Sequence, residues 1–277
     1  MCDLFGVIKS SYYYGLQSKP ISLETVKYKA LIRQIFNDSN CSAGARSIVA
    51  ILMNEHGIKL TRYMAGKLMA QMGLKSCQLK THKYKHCDAE HKTHENLLNR
   101  NFSPTAPNQV WTGDVTYIRV KGGWCYLAVV LDLYARRVVG FAVSDSPDSV
   151  LTASALQMAY HTRLMPSGVL FHSDQGSHYT SHTFAESVAD CEGMKQSMSR
   201  RGNCWDNAPT ERFFRSFKTE WMLKGGYKDI AEASTAIIDY IWGYYQTVRP
   251  HSFNDYLPPA EKEKRYFNKN LLSGVLN

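Results

Sequence analysis

Residues 110–120 read Val110-Trp111-Thr112-Gly113-Asp114-Val115-Thr116-Tyr117-Ile118-Arg119-Val120, a largely apolar run with one acid, Asp114, near its middle. β-branched and aromatic residues dominate. The alternation of a strand would set Thr112, Asp114, Thr116 and Ile118 on one face. A carboxylate in that setting carries a heavy desolvation cost unless a cation or a hydrogen-bonding partner meets it. The stretch reads as a strand that delivers an acid to a site.

Downstream the pattern stays mixed. Trp124 to Leu131 and Val138 to Val143 are two further β-rich runs, joined as a hairpin by the polar turn Asp132 to Arg137. A helix capped near Asp148 follows, with Leu151, Ala155 and Met158 on one side. Val169 to Ser173 is a short buried strand that ends at Asp174 before a Gly-containing turn, a favoured place for sites in open α/β sheets. Ser181 to Cys191 reads as a helix and Lys195 to Met198 as a strand. Asn207, Ala208 and Pro209 then open a strong helix, with Asn as cap and Pro in the first turn. It carries Glu211 near its start and runs past Phe213, Phe214, Phe217 and Trp221 to Gly225. A last amphipathic helix is expected over Ile230 to Tyr245. Three strands followed by alternating helices and strands predict a mixed α/β sheet with helices on its faces.

Upstream, residues 21–76 look helical. Leu23, Val26, Ala30 and Ile35 recur at helical spacing. A second helix over Arg46 to Glu55 stops at Gly57. A third starts at the N-cap Thr61, passes Met64, Leu68 and Met72, and ends at Gly73. Two short helices about a Gly-containing turn suggest a helix-turn-helix whose second helix enters the major groove, with Arg62 and Lys67 off its apolar stripe. A small helical bundle without DNA contact fits the same periodicity. Residues 77–107 read as an exposed basic linker with Lys80, Lys83, Lys85 and Lys92, closed by Pro104 and Pro107. Cys77, His82, His86, Cys87, His91 and His94 match no standard zinc-ligand spacing. The expected division is 1–76 helical, 77–107 linker, 108–265 core with a C-terminal helix, and 266–277 tail.

Composition narrows the partner. The 277 residues are 44% hydrophobic, enough for one packed domain and a small companion, and carry a net charge of +9. That balance suits a polyanion, since each phosphate neutralised by Lys or Arg releases counterions. Seven scattered cysteines without a CxxC pair, and no signal peptide, point to a reducing cytoplasm. The longest purely apolar run, Trp124 to Leu131, is far too short to span a membrane.

Asp114, Asp174 and Glu211 are candidates for one acidic site. Hard divalent cations prefer oxygen ligands, and two of them about 3.5–4 Å apart can stabilise both the attacking and the leaving oxygen of phosphoryl transfer. Arg215 and Lys218 fall four and seven residues after Glu211 on the same helical face, where they would continue the line toward phosphates. Each acid alone could equally be a cap or an ion pair, and Asp132 and Asp206 are read that way.

The strings Trp111 to Tyr117, His172-Ser173-Asp174-Gln175-Gly176-Ser177 and Ser197 to Asn207, with Glu211 beyond and Arg249-Pro250-His251-Ser252 near the end, resemble the insertion-sequence-three family of transposases. The likeness is to the OrfB product with its retroviral-integrase-like core, and it covers most of residues 105–265. Ala43 to Leu74 resembles the helix-turn-helix that precedes that core. The resemblance implies an RNase H-like fold, a mixed five-stranded sheet flanked by helices, after a small all-helical helix-turn-helix domain. It implies that Asp114, Asp174 and Glu211 form a catalytic, metal-binding DDE triad holding two Mg2+ ions, with Mn2+ as the alternative. Arg215 and Lys218 match positions that meet DNA, and Arg200, Arg201, Arg62 and Lys67 are further DNA-facing candidates. It further implies cleavage and strand transfer at terminal inverted repeats of double-stranded DNA by a homo-oligomer, in the bacterial cytoplasm at the nucleoid. A nuclease on the same fold and a non-cutting DNA-binding relic or repressor are the alternatives. The 36 residues between Asp174 and Glu211 exceed the usual family spacing by one, most easily placed between Cys191 and Met198. The opening Met1 to Val7 resembles an internal point of the usual frame, so an upstream OrfA product or fusion is an expected partner.

Overall fold

The computed structural model describes residues 6, 8–16, 22–77, 94–200 and 204–275. Most of the basic stretch 77–107, Arg201 and the opening residues Met1 to Phe5 lie outside them. Among the described residues no helix is long and apolar enough to cross a membrane.

The first elements are helices: α1 (Lys9–Leu16), α2 (Leu23–Asp38), α3 (Ala45–His56) and α4 (Arg62–Gln71). Their boundaries follow local chemistry. Ser22 and Thr61 accept backbone N–H bonds as N-caps, from Thr25 and Met64, and Gly57 ends α3 at φ +64°. The expected apolar stripe of α2 is not the face it buries. Leu23, Val26 and Ala30 of α2 are exposed, and its buried face is Ile32, Ile35 and Phe36, backed by Tyr28 and Leu31. Both stripes have helical spacing; packing selects the bulkier one, which meets Ile48, Ile51, Leu52, Leu68 and Met69.

The larger half is a five-stranded sheet of order β3-β2-β1-β4-β5. The antiparallel meander comprises β1 (Val110–Val120), β2 (Gly123–Asp132) and β3 (Arg137–Ser144). After α5 (Ser149–Thr162) come β4 (Leu170–Ser173), α6 (His182–Ala189) and β5 (Lys195–Met198), both short strands parallel to β1. The two faces separate by residue parity. Cys125, Leu127, Val129 and Leu131 join Ile118 and Val120 in one core, while Ala128 and Val130 join Trp111 in the other, under α5 and α6. Two glycines are required by close approach. A Cβ on Gly140 would stand 2.3 Å from the Ala155 carbonyl of α5, and one on Gly113 would stand 2.5 Å from the Phe171 ring.

A 3-10 turn, Cys204–Asn207, leads into α7 (Ala208–Glu220), whose Phe213, Phe214 and Phe217 fill the first core. The helix stops at Glu220, short of the expected Gly225. The expected Ile230–Tyr245 helix is α8 (Ile230–Ile238) continued by a π-helical segment, Asp239–Tyr245. A further helix, α9 (Pro259–Val275), occupies most of the expected tail, 266–277. It docks by charge: buried Glu263 accepts hydrogen bonds from Arg137, at 2.9 Å, and from Arg163. Part of the supposed linker is also packed. Leu98 is buried, and Asn96 and Arg100 both bond Asp206.

Candidate active site

β4 pairs with β1 only as far as Thr112 and His172, so the two strands part just where Asp114 and Asp174 follow. The gap faces the first turn of α7, which carries Glu211. That turn is tied to β1. Asn207 Nδ2 donates to the Gly113 carbonyl at 3.0 Å, Thr210 Oγ1 donates to Asn207 Oδ1 at 3.0 Å, and the Thr112 and Thr210 hydroxyls meet at 2.6 Å. With Thr210 already donating, Thr112 is the donor in the last bond. This departs from the sequence expectation: Asn207 makes no side-chain cap bond to the helix backbone, and its amide spans to the strand instead.

The Asp174 loop is fastened to β5. His172 is fully buried, with Nδ1 2.9 Å from the Ser197 hydroxyl and Nε2 3.1 Å from the Ser199 hydroxyl. Burial, partly offset by Asp206, lowers its pKa to about 4, so the ring is neutral. Gln175 Nε2 donates to the Ser199 carbonyl at 3.0 Å. Asp206, buried in the loop before α7, accepts from Arg100 Nε at 2.7 Å, Asn96 Nδ2 at 3.0 Å, and Arg200 Nε and backbone N at 3.1 Å. Burial pushes this carboxyl up, but its hydrogen bonds to Arg200 and Arg100 prevail and bring it to about 2. It is a structural anion that fixes the approach to Glu211.

The three candidate acids share one electrostatic environment. Burial raises the Asp114 carboxyl well above the usual carboxylate range, and Asp174 and then Glu211 raise it further; the Val115 amide and Lys218 oppose. Glu211 is raised by burial and by Asp174, against Arg215. Burial lowers Lys218, and Asp114 opposes that shift. Asp114 Oδ1 accepts from the Val115 N–H at 2.7 Å and Asp174 Oδ1 from the Gly176 N–H at 3.0 Å. Among the described residues, no group of three His, Cys, Asp or Glu stands close enough to hold a metal ion in this arrangement. The donor chemistry still fits a hard divalent cation: three partly buried carboxylates, all oxygen donors, with the protonated forms of Asp114 and Glu211 favoured by burial and by Asp174.

The other sequence candidates are dispersed. Arg215 and Lys218 lie half-buried on α7, Arg62 and Lys67 stand exposed on α4, and Arg200 is bonded to Asp206. Sequence reading missed Thr112, Thr210 and the clamp on Asp206. Only the unusual density of hydroxyl and amide side chains around the acids could have signalled them.

Comparison with known proteins places the chain. Family models for an integrase core domain match residues 104–204 and 192–259, and one for an HTH-like domain matches residues 24–82. The transposase for insertion sequence element IS904 of Lactococcus lactis is 37% identical over 84% of this chain and 92% of its own length. Transposase InsF for insertion sequence IS3A of Escherichia coli is 38% identical over 64% of this chain and 60% of its own length. Among solved structures, the simian T-cell lymphotropic virus intasome with the PP2A regulatory subunit B56 gamma matches with a TM-score of 0.51. That likeness covers 84% of this chain and 72% of that one, at 14% identity, and marks the fold as RNase H-like. An integrase core behind a helix-turn-helix-like unit, with transposases as sequence relatives, makes this chain a DNA transposase of the insertion-sequence-three family.

Proposed function

We propose that Asp114, Asp174 and Glu211 are the catalytic carboxylates for metal-dependent cleavage and strand transfer at the terminal inverted repeats of an insertion sequence. One observation carries the reading: three acids from distant parts of the chain come within electrostatic reach of one another where β1 and β4 part, and burial there penalises the charge of Asp114 and Glu211. Two Mg2+ ions, or Mn2+ in their place, would be held by these three side chains and, when bound, supply charge neutralisation for the attacking and leaving oxygens. The chain's own groups do the rest. Thr112, Asn207 and Thr210 fix Glu211 against the strand bearing Asp114. Lys218 and Arg215 continue from Glu211 along α7 and would hold the phosphates next to the reacting one. Arg62 and Lys67 on α4 would meet the major groove, and Arg200 and Arg201 would flank the active-site DNA. The working unit is a homo-oligomer holding two ends of double-stranded DNA in the bacterial cytoplasm, with an OrfA product or fusion supplying further end recognition.

A strand-transfer assay on labelled inverted-repeat ends tests the assignment. Glu211→Gln should lower joining by roughly three orders of magnitude or more while DNA binding persists. Joining at the wild-type rate would move the catalytic acid elsewhere.

A further inference from the structure

Three residues along β1 from Asp114, roughly 10 Å away at strand rise and on the opposite face of the sheet by strand parity, the surface carries two large exposed rings. Tyr117 is 57% exposed and Trp124 is 49% exposed. Their centroids are 5.1 Å apart and their planes cross at 88°. Tyr117 pairs with Tyr126 and Arg119 with Trp124, so the two rings are diagonal neighbours on one face of the hairpin. Diagonal packing alone accounts for their mutual contact. It does not account for a third member: Lys218, from α7, sets its Nζ 4.2 Å from the Tyr117 ring centroid. β1 has no β4 partner beyond Thr112, so its edge is open there, and Lys218 reaches round that edge from the α7 face to the ring on the other.

The combination has a specific use. A nucleobase has a π-face that stacks on any exposed aromatic ring, whatever its sequence, and its phosphate needs a cation within reach. Here two open rings and one ammonium group, also within electrostatic reach of Asp114, stand together in a chain of net charge +9. We propose that Tyr117, Trp124 and Lys218 form a stacking subsite for an unpaired nucleobase next to the scissile phosphate. The inference rests on the reading of the three acids given above and deepens it. The base lies against the exposed indole of Trp124 with Tyr117 as its wall, and Lys218 leaves the tyrosine ring to neutralise the adjoining phosphate. Separating the terminal base pairs is thereby made easier just where the strand must enter the gap between β1 and β4.

The test uses the full chain and two terminal-repeat duplexes, one fully paired and one frayed by two mismatches beside the cleavage point, each with 2-aminopurine at the frayed position. The wild type should bind the frayed duplex about tenfold more tightly and quench its fluorescence on binding. Trp124→Ala should erase that preference and the quenching, and Trp124→Phe should restore most of both. Unquenched 2-aminopurine in the wild-type complex would overturn the proposal without recourse to any variant. So would a frayed-end preference that survives in a folded Trp124→Ala protein. Loss of self-association in light scattering, with the preference intact, would assign the rings to a protein contact and overturn it equally. Failure of the wild type to bind either duplex would sink the broader DNA reading first, and with it this one.

Discussion

At the scale of single residues, Asp114 shows how a candidate site is held at the expense of stability. Burial comes first among the causes that favour its protonated form, followed by Asp174 and Glu211. An acid whose folded pKa is raised above its unfolded value near 4 binds protons more tightly when folded. Its contribution to stability is therefore most favourable at low pH and falls as pH rises from that unfolded value through the folded one. Asp114→Asn removes the penalty. In EDTA at pH 8 the variant should melt about 2–4 °C above the wild type, and the gap should close as pH approaches 4. Adding Mg2+ should raise the wild-type midpoint by more than the variant's. Equal midpoints at pH 8 in EDTA would show that the acid is not strained.

At the scale of elements, α7 is the part on which the site turns, and both its ends are fastened by polar bonds. Near its last turn, Arg249 donates to Glu220 through Nε at 2.7 Å and Nη2 at 2.6 Å, and to the Ser216 hydroxyl at 3.1 Å. Tyr240 donates to the same carboxylate at 3.1 Å. Arg249→Met would leave Glu220 largely buried without its cation and should cost about 3 kcal/mol in chemical denaturation. Adding Glu220→Gln, which keeps an acceptor for Tyr240, should recover more than half of it. An Arg249→Met protein as stable as the wild type would show that the helix is held by its phenylalanines alone. The same contrast explains what could be read in advance. The strands and α5 to α7 were legible because their apolar residues repeat at one clear period. The true face of α2 was not, because two stripes with helical spacing compete there and only tertiary packing decides. α9 was hidden because Glu263, paired with Arg137 and Arg163, anchors it rather than an apolar stripe. The motif acids were visible, but the clamp on Asp206 was not. Its partners Asn96 and Arg100 lie 110 and 106 residues away, beyond any local pattern.

At the scale of the whole molecule, the helical unit and the acids are kept apart by the length of α7. Its 13 residues span about 20 Å, with Glu211 in the first turn. The α2 to α4 unit docks beyond the last turn. Ile35 and Ile51 share a cavity of about 370 Å³ with Trp221 and Tyr244, Val248 joins the helical core, and Asn54 donates to the Tyr256 carbonyl at 3.0 Å. If α4 meets DNA, it meets a different stretch from the one being cut, and the two roles should separate by experiment. Arg62 and Lys67 are exposed, so replacing both by alanine should leave the melting temperature unchanged within about 1 °C. Each phosphate contact contributes about 0.9 to the slope of log affinity against log salt. The double variant should flatten that slope by about 2 between roughly 50 and 200 mM salt. Joining measured in a single turnover at saturating protein should stay within about threefold of the wild type, because the acids are untouched. An unchanged slope would remove α4 from the interface. A collapse of single-turnover joining despite saturation would instead mean that the helical unit shapes the site itself, through the contacts it makes with Tyr244 and Tyr256.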